Sequence, residues 1–184
     1  MPEYNYITDQ IFTVTDFFTA EECDAYVELA ESIGFDEAPI NTPLGPQLRK
    51  DVRNNSRVIL DDQQRANQLW SRIPDYIPHN IGGWSACGVN ERLRFYRYDI
   101  GQRFDWHYDG YFERENGERS HLTFMVYLNE GFHGGETSFE NIGITPEKGL
   151  ALFFIHQILH KGQPVVEGRK YVLRTDVMYR CSNM

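Results

Sequence analysis

The chain has 184 residues, of which 41% are hydrophobic and 24% charged, and this composition predicts one globular domain over residues 1–184. The formal net charge of −9 argues against a nucleic-acid binder, because neutralising phosphates requires clustered lysine and arginine. Phenylalanine and tyrosine are frequent, at 12 and 11 residues, and aromatic side chains suit the half-buried faces of β-sheets.

The cysteines and the N-terminal residues bear on the compartment. Cys23, Cys87 and Cys181 are widely spaced and form no Cys-x-x-Cys pair, so we expect neither a disulfide framework nor a zinc site. The first residues lack the basic and apolar regions of a signal peptide, and no apolar run approaches the length of a membrane span. These features predict a cytoplasmic protein that acts away from membranes, and they leave the oligomeric state open.

The first half of the chain shows two helical segments. Thr19 and Glu22 have the spacing of a capping box and predict a helix over residues 20–33, with Gly34 just beyond its end. A second helix is predicted over residues 62–72, before Pro74. Residues 36–56 are rich in proline, asparagine and glycine and predict a long irregular segment, either a lid or ordered surface.

From residue 90 onward the pattern changes to short strands separated by glycine-containing turns. The predicted strands cover residues 91–99, 103–109, 121–129, 136–140, 149–155 and 170–179. This pattern predicts a mostly β fold with a double-stranded β-helix, or jelly-roll, core over residues 91–180. Residues 1–90 are expected to form a helical support and lid region beside that core.

A candidate metal site is centred on His107 and Asp109. Side chains two residues apart on a β-strand share a face, so this pair can present a nitrogen and a carboxylate oxygen to one point. His160, near a different strand, is the predicted third ligand. Two histidines and one carboxylate leave open positions on the metal, which is typical of iron(II) oxygenases.

A second grouping of histidines competes with this interpretation. His156 and His160 are four residues apart and would share a face on a helix. However, residues 149–155 read as a strand, and no adjacent glutamate completes a zinc-protease motif. We therefore interpret His156 as structural.

Several ordered motifs between residues 92 and 179 carry a family resemblance. They are Arg94 to Tyr98, Gly101-Gln102 ahead of His107-Tyr108-Asp109, Thr123 to Asn129, Gly134 to Phe139, Gly149 to Phe153, His160 to Val165, and Gly168 to Tyr171. In order and spacing this half of the chain resembles the catalytic domain of the prolyl 4-hydroxylase-like branch of the 2-oxoglutarate- and Fe(II)-dependent dioxygenases.

The resemblance implies roles for particular residues. It implies that His107, Asp109 and His160 bind the metal and form the catalytic centre. Lys170, or else its neighbour Arg169, would pair with the far carboxylate of 2-oxoglutarate. Three further residues would contact this cosubstrate, namely Tyr98, Tyr127 and Thr137. For Lys170 the alternative is a solvated lysine at a strand edge, and for Tyr98 and Tyr127 it is ordinary packing within a sheet.

The resemblance also implies Fe(II), 2-oxoglutarate and O₂ as cofactors and cosubstrates, with ascorbate as a further candidate. The expected reaction hydroxylates an unactivated C–H bond and releases succinate and CO₂. The substrate would be a peptidyl proline or another amino-acid-type compound, either a protein or a small molecule. Peptide-hydroxylating relatives carry an arginine where this chain has Ser120, which leaves the substrate open.

Two other functional classes fit part of the pattern. A non-enzymatic metal-binding jelly-roll module would need the three ligands but neither Lys170 nor Tyr98. A cupin-type isomerase would need a general base near the metal and no 2-oxoglutarate pocket. The joint presence of the three ligands and Lys170 favours the oxygenase.

Overall fold

The computed structural model describes residues 1–181, except for the side chain at position 41. Over these residues the fold is mostly β, with two helices and eighteen strands. The helices are α1 (Ala20–Ile33) and α2 (Gln63–Trp70). The strands are β1 (Glu3–Thr8), β2 (Ile11–Thr15), β3 (Asp36–Glu37), β4 (Ile40–Thr42), β5 (Gly45–Gln47), β6 (Ser56–Asp61), β7 (Asn80–Ile81), β8 (Trp84–Val89), β9 (Arg92–Tyr98), β10 (Phe104–His107), β11 (Arg119–Tyr127), β12 (His133–Gly134), β13 (Thr137–Phe139), β14 (Gly143–Ile144), β15 (Ala151–Ile155), β16 (His160–Gly162), β17 (Val165–Glu167) and β18 (Lys170–Cys181).

Side-chain caps determine where both helices begin. At α1 the backbone N–H of Glu22 donates to the Thr19 hydroxyl at 3.2 Å, and the Glu22 carboxylate accepts from the Thr19 N–H at 2.9 Å. This reciprocal capping box confirms the predicted start of α1. At α2 the Asp62 carboxylate accepts from the Arg65 N–H at 2.9 Å, so the helix begins one residue later than predicted.

Two antiparallel sheets dominate the fold. The large sheet has the strand order β1-β2-β15-β11-β18-β9-β6-β3, and β8 with β7 pairs along the far part of β18. The small sheet has the order β10-β16-β13-β14. Each predicted strand beyond residue 90 is present, with ends shifted by a few residues.

Alternation along the central strands divides the apolar residues into two groups. On one face of the large sheet, Phe95, Phe124 and Leu173 belong to a core cluster that also contains residues of both helices. On the other face, Tyr96 and Val172 belong to a second cluster with residues of the small sheet. Successive side chains on a strand point to opposite faces, so one sheet serves both clusters. The space between the two sheets is where the candidate site lies.

The N-terminal ninety residues differ from the expected helical support. They supply six strands of the large sheet, β1, β2, β3, β6, β7 and β8, in addition to α1 and α2. β2 pairs with the buried strand β15, from Ala151↔Val14 to Phe154↔Ile11. The prediction of a helical region is therefore incomplete, because β2, β6 and β8 pair with strands later in the chain and no local pattern reveals these pairings.

Residues 36–56 form part of the wall around the site. Ile40–Thr42 and Gly45–Gln47 make a small hairpin. Further along, the Asp105 N–H donates to the Val52 carbonyl at 2.8 Å, and the Arg103 N–H donates to the Asn54 side chain at 2.8 Å. The end of this segment is thus hydrogen-bonded to the strand that carries His107. Within the described residues, no helix has both the length and the apolar character needed to cross a membrane.

Candidate metal centre and cosubstrate cavity

The structure brings the three predicted ligands together. His107 ends β10 and lies opposite His160, the first residue of β16, while Asp109 follows two residues after His107. The Asp109 carboxylate lies 3.9 Å from Nε2 of His107 and 3.7 Å from Nε2 of His160. One potential ligand atom from each residue falls within 4.8 Å of the others, which makes a three-residue metal site.

Backbone carbonyls orient both histidine rings. Nδ1 of His107 lies 2.7 Å from the Asp105 carbonyl, and Nδ1 of His160 lies 3.0 Å from the Ile158 carbonyl. A carbonyl can only accept, so each Nδ1 carries the proton and each Nε2 has a free lone pair for a metal. Burial lowers the pKa of His107 to about 3 and also lowers the pKa of His160. Both rings are therefore neutral, as metal ligation requires.

The Asp109 carboxylate is held by two neighbours. The Thr123 hydroxyl donates to Oδ2 at 2.5 Å, and Nη2 of Arg174 lies 3.2 Å from the same oxygen. Burial by itself raises the pKa of Asp109, but the charge of Arg174 outweighs it and, with the Thr123 hydrogen bond, holds this pKa well below its usual range. Asp109 is thus an anion with a fixed orientation.

His156 lies behind the site and takes no part in the ligand cluster. Its Nδ1 is 3.0 Å from the Thr123 hydroxyl, and its Nε2 is 2.9 Å from the Ser120 hydroxyl. Both ring nitrogens are therefore engaged by hydroxyl groups. The interpretation of His156 as structural agrees with these contacts, and Thr123 links this ring to Asp109.

Lys170 lies deep in the cavity between the sheets. It is 2% exposed, and its Nζ donates to the Gly135 carbonyl at 2.7 Å and lies 4.3 Å from the centre of the Tyr98 ring. Within the described part of the chain it has no carboxylate partner in an ion pair. Burial lowers the pKa of Lys170 to about 7. A buried cation of this kind is energetically unfavourable unless an anion binds beside it.

The other residues predicted to contact the cosubstrate differ in whether they reach the cavity. Tyr98 lies directly opposite Lys170 in the ladder and lines the cavity, as Thr137 does. Tyr127 is fully buried behind the cavity, where its hydroxyl donates to Thr137 at 2.7 Å. Arg169 is exposed and pairs with Asp99 on the surface at 2.5 Å. Of the two basic candidates, Lys170 is the one that reaches the cavity.

The sequence did not predict three residues near the site. Arg174 and Thr123 contact the ligand Asp109, and Arg53 packs beside Phe104 in the cavity wall. Arg174 had a usable signal, because it follows Lys170 by four residues and so shares its face of β18. Thr123 was noted only as part of a matching strand. Arg53 had no local signal, since it bridges to Phe104 from a segment 51 residues earlier in the chain.

Comparison with known proteins shows what the stretch that carries this site is similar to. The sequence profile of the 2OG-Fe(II) oxygenase superfamily matches residues 93–175, which include all three ligands and Lys170. Probable prolyl 4-hydroxylase 8 of Arabidopsis thaliana is 26% identical over 198 residues, covering 87% of this chain and 65% of the plant protein. The chain thus spans just under two thirds of the length of the curated relative it matches.

Solved structures share the fold. The viral collagen prolyl hydroxylase from Paramecium bursaria Chlorella virus-1 superposes with a TM-score of 0.64 at 22% identity, covering 92% of this chain and 96% of the viral one. A Trichoplax adhaerens prolyl hydroxylase, solved with a hypoxia-inducible-factor peptide fragment, gives 0.69 at 17% identity, covering 92% and 84%. Over residues 93–175 the chain is thus similar to the 2OG-Fe(II) oxygenase superfamily. The curated relative and the two solved structures described above are named prolyl hydroxylases.

Proposed function

We propose that this protein is a 2-oxoglutarate- and Fe(II)-dependent dioxygenase that hydroxylates a prolyl residue in a peptide. The observation that carries this proposal is a three-ligand metal site in the same cavity as Lys170, a buried lysine that pairs with no described carboxylate. A metal-binding module or an isomerase has no need for a buried cation beside its metal. An oxygenase needs one to hold an anionic cosubstrate.

The donor set fits Fe(II), since two imidazoles with free Nε2 atoms and one carboxylate match the ligands of non-haem iron oxygenases. When bound, Fe(II) and 2-oxoglutarate supply the activation of O₂ that hydroxylates a C–H bond and yields succinate and CO₂. His107, Asp109 and His160 would hold the metal. Lys170 would hold the far carboxylate of the cosubstrate.

The cavity between the sheets holds the groups that an anionic cosubstrate needs. Lys170, Tyr98 and the three metal ligands all line it. The Lys170 ammonium can pivot from the Gly135 carbonyl to an incoming carboxylate, because both are oxygen acceptors. Tyr98 stands opposite Lys170 and offers a hydroxyl from a wall that is already buried. The surrounding side chains exclude water from the site.

A peptide substrate is supported by the relatives. The Trichoplax prolyl hydroxylase was solved with a peptide fragment, and this chain shares its fold. Ser120 stands where peptide-hydroxylating relatives carry an arginine. Its hydroxyl is hydrogen-bonded to His156 and to the Phe112 N–H. A peptide would therefore be held by other residues. The roles of ascorbate and a cytoplasmic location stay predictions.

The first test measures cosubstrate binding without turnover. Fe(II) and 2-oxoglutarate, added without oxygen, should give the visible charge-transfer band of a 2-oxo acid on Fe(II). His107→Ala should abolish the band, and Lys170→Ala should require far more 2-oxoglutarate to reach it. Absence of the band in folded, metal-loaded wild type would exclude the oxygenase in favour of a binding module or an isomerase.

A further inference from the structure

A groove beside the metal site is lined by five arginines, in a chain whose net charge is −9. We call it the arginine groove. Its arginines are Arg53, Arg57, Arg92, Arg94 and Arg174. The groove has a volume of about 570 Å³ and also reaches the metal ligands His107 and Asp109. Its positive lining is therefore a local feature, opposite in sign to the molecule as a whole.

Strand register explains how the charges collect there. In the β9–β18 ladder, Lys170 faces Tyr98, Val172 faces Tyr96, and Arg174 faces Arg94. The four-residue step from Lys170 to Arg174 corresponds to roughly 13 Å along the strand. The cosubstrate lysine and the arginine groove thus occupy opposite ends of one sheet face. An anion bound at the first leaves the second free for another anion.

Three of the five arginines already have carboxylate partners. The pairs are Arg92 with Asp61 at 2.8 Å, Arg94 with Asp176 at 3.2 Å, and Arg174 with both Asp176 at 3.0 Å and Asp109 at 3.2 Å. Their charges are largely neutralised within the protein. The net positive charge of the groove therefore comes from the remaining two arginines.

Arg53 is the buried member of this unpaired couple. It is 5% exposed, and its Nη2 has no hydrogen-bond partner within the described part of the chain. Its Nε donates to Asn55 at 2.7 Å, and its guanidinium lies 4.5 Å from the centre of the Tyr96 ring and 4.3 Å from that of Phe104. An unsatisfied buried guanidinium nitrogen requires an explanation, and a missing anionic ligand supplies one.

Arg57 is the half-buried member. It lies on β6, opposite Tyr96 of β9. Within the residues that the structure describes it forms no ion pair. Burial lowers the pKa of Arg57, and the charges of Arg53, Arg94 and Arg174 lower it further. Arg57 and Arg53 carry like charges and neither has a carboxylate partner among the described residues, so a bound carboxylate would relieve their repulsion.

From these contacts we infer that the arginine groove binds a carboxylate side chain of the peptide substrate, next to the residue that is hydroxylated. The inference rests on the proposed function for its reacting residue. Guanidinium groups match carboxylates in two-point hydrogen bonds. The groove extends from His107 to Pro39 and Ile40, which is more room than a free amino acid needs. The exposed rings of Tyr108 and Tyr111 add apolar contact area along it.

The test compares fluorescent peptides on the Mn(II)- and 2-oxoglutarate-loaded protein by anisotropy. Each peptide has one central proline, flanked by glutamates, by glutamines or by lysines. The glutamate peptide should bind about tenfold tighter than the glutamine peptide, as expected for charge-assisted hydrogen bonds. Arg57→Gln should remove this difference. Arg49→Gln, which removes an exposed arginine of the same region that pairs with Asp51, should retain it.

A charge reversal gives the more discriminating test, because Arg57→Glu should bind the lysine peptide more tightly than the glutamate peptide. Equal binding of the glutamate and glutamine peptides, or a preference that survives in Arg57→Gln, would overturn the inference. N-acetylglutamate competing as well as the peptide would overturn the assignment to a peptide. 2-Oxoglutarate binding is measured on the same samples. Its absence would refute the proposed function, while the charge preference of the groove would still be readable.

Discussion

At the scale of single residues, we expect Lys170 to couple cosubstrate binding to pH. Burial lowers its pKa to about 7, whereas its ordinary value is 10.5. A bound carboxylate requires the protonated form and raises the pKa in the complex. Affinity for 2-oxoglutarate is therefore fully present below pH 7 and is lost as pH rises above it, by about tenfold per pH unit.

Titration calorimetry on the Mn(II)-loaded protein measures this dependence. Lys170→Met should bind 2-oxoglutarate weakly at every pH and show no such slope. Lys148→Gln serves as the control, because Lys148 is paired with Asp24 at the surface. This variant should show the same dependence of 2-oxoglutarate affinity on pH as wild type. A wild-type affinity that stays constant from pH 7 to 9 would contradict the assignment of Lys170.

Thr123 should affect metal affinity through the Asp109 ligand without contacting the metal itself. Its hydroxyl donates to the Asp109 ligand at 2.5 Å, and hydrogen bonds of this kind hold a ligating carboxylate in position. Thr123→Val keeps the shape and removes that bond, so we expect metal affinity to fall by about 10- to 100-fold. Competition with a metallochromic indicator measures the change.

Thr137→Val provides the matched comparison, because the Thr137 hydroxyl accepts from Tyr127 and does not reach a ligand. It should leave metal affinity unchanged and weaken only 2-oxoglutarate binding. If both valine variants lost metal to the same degree, the effect would come from general loss of packing in the cavity.

The residues that sequence predicted were those with either a local motif or a matching family position. His107 and Asp109 are two apart, and their convergence follows from strand geometry. His160 was predicted from its place near a different strand and Lys170 from the resemblance, and the structure places both in the cavity. Arg53 was missed since its position depends on a bridge to Phe104, which no pattern near residue 53 reveals.

At the scale of secondary-structure elements, Gly149 connects the turn between β2 and α1 to the core. Its carbonyl accepts from the Phe18 N–H at 3.2 Å, and its N–H donates to the Tyr127 carbonyl at 2.8 Å. Its φ is +85°, and a Cβ there would collide with the Phe18 carbonyl. Gly149→Ala should therefore lower the free energy of unfolding by about 2 kcal/mol or more.

Denaturant unfolding of Gly149→Ala beside Gly143→Ala checks this expectation. Gly143 has an ordinary backbone conformation, and a Cβ there meets no atom within 4 Å. Its substitution should change stability by less than about 0.5 kcal/mol. Equal effects of the two substitutions would show that the backbone conformation at Gly149 is not limiting.

Elements were predictable where their signals are local. The capping box placed α1 correctly, and short segments separated by glycine turns located six of the ten strands beyond residue 90 in the described part of the chain. β1 and β2 were missed, although Ile11 to Val14 are all buried. A short strand that is buried on both faces shows no clear alternation, and its pairing with β15 spans more than a hundred residues of sequence.

At the scale of the whole molecule, the two faces of the large sheet have different roles, one in the stability of the fold and the other in the candidate site. The face of the large sheet that packs with the helices is apolar, and its opposite face carries the polar and charged groups of the site. Those buried charges oppose folding unless ligands bind them. Ligands that bind only the folded state should consequently raise thermal stability.

We expect this stabilisation to follow an order. Mn(II) alone should raise the Tm, and 2-oxoglutarate should raise it further only when the metal is present, because the two share one cavity. A ligand at a hundred times its Kd adds about 2.7 kcal/mol. For a chain of this size that corresponds to roughly 5–10 °C in Tm.

Differential scanning fluorimetry on wild type and two variants checks the order. Lys170→Met should keep the shift caused by Mn(II) and lose the additional shift caused by 2-oxoglutarate. His107→Ala should lose both, because the metal must bind first. A 2-oxoglutarate shift of equal size without metal would mean that Lys170 alone retains the dicarboxylate, and the cavity would then act as an anion site independent of the metal.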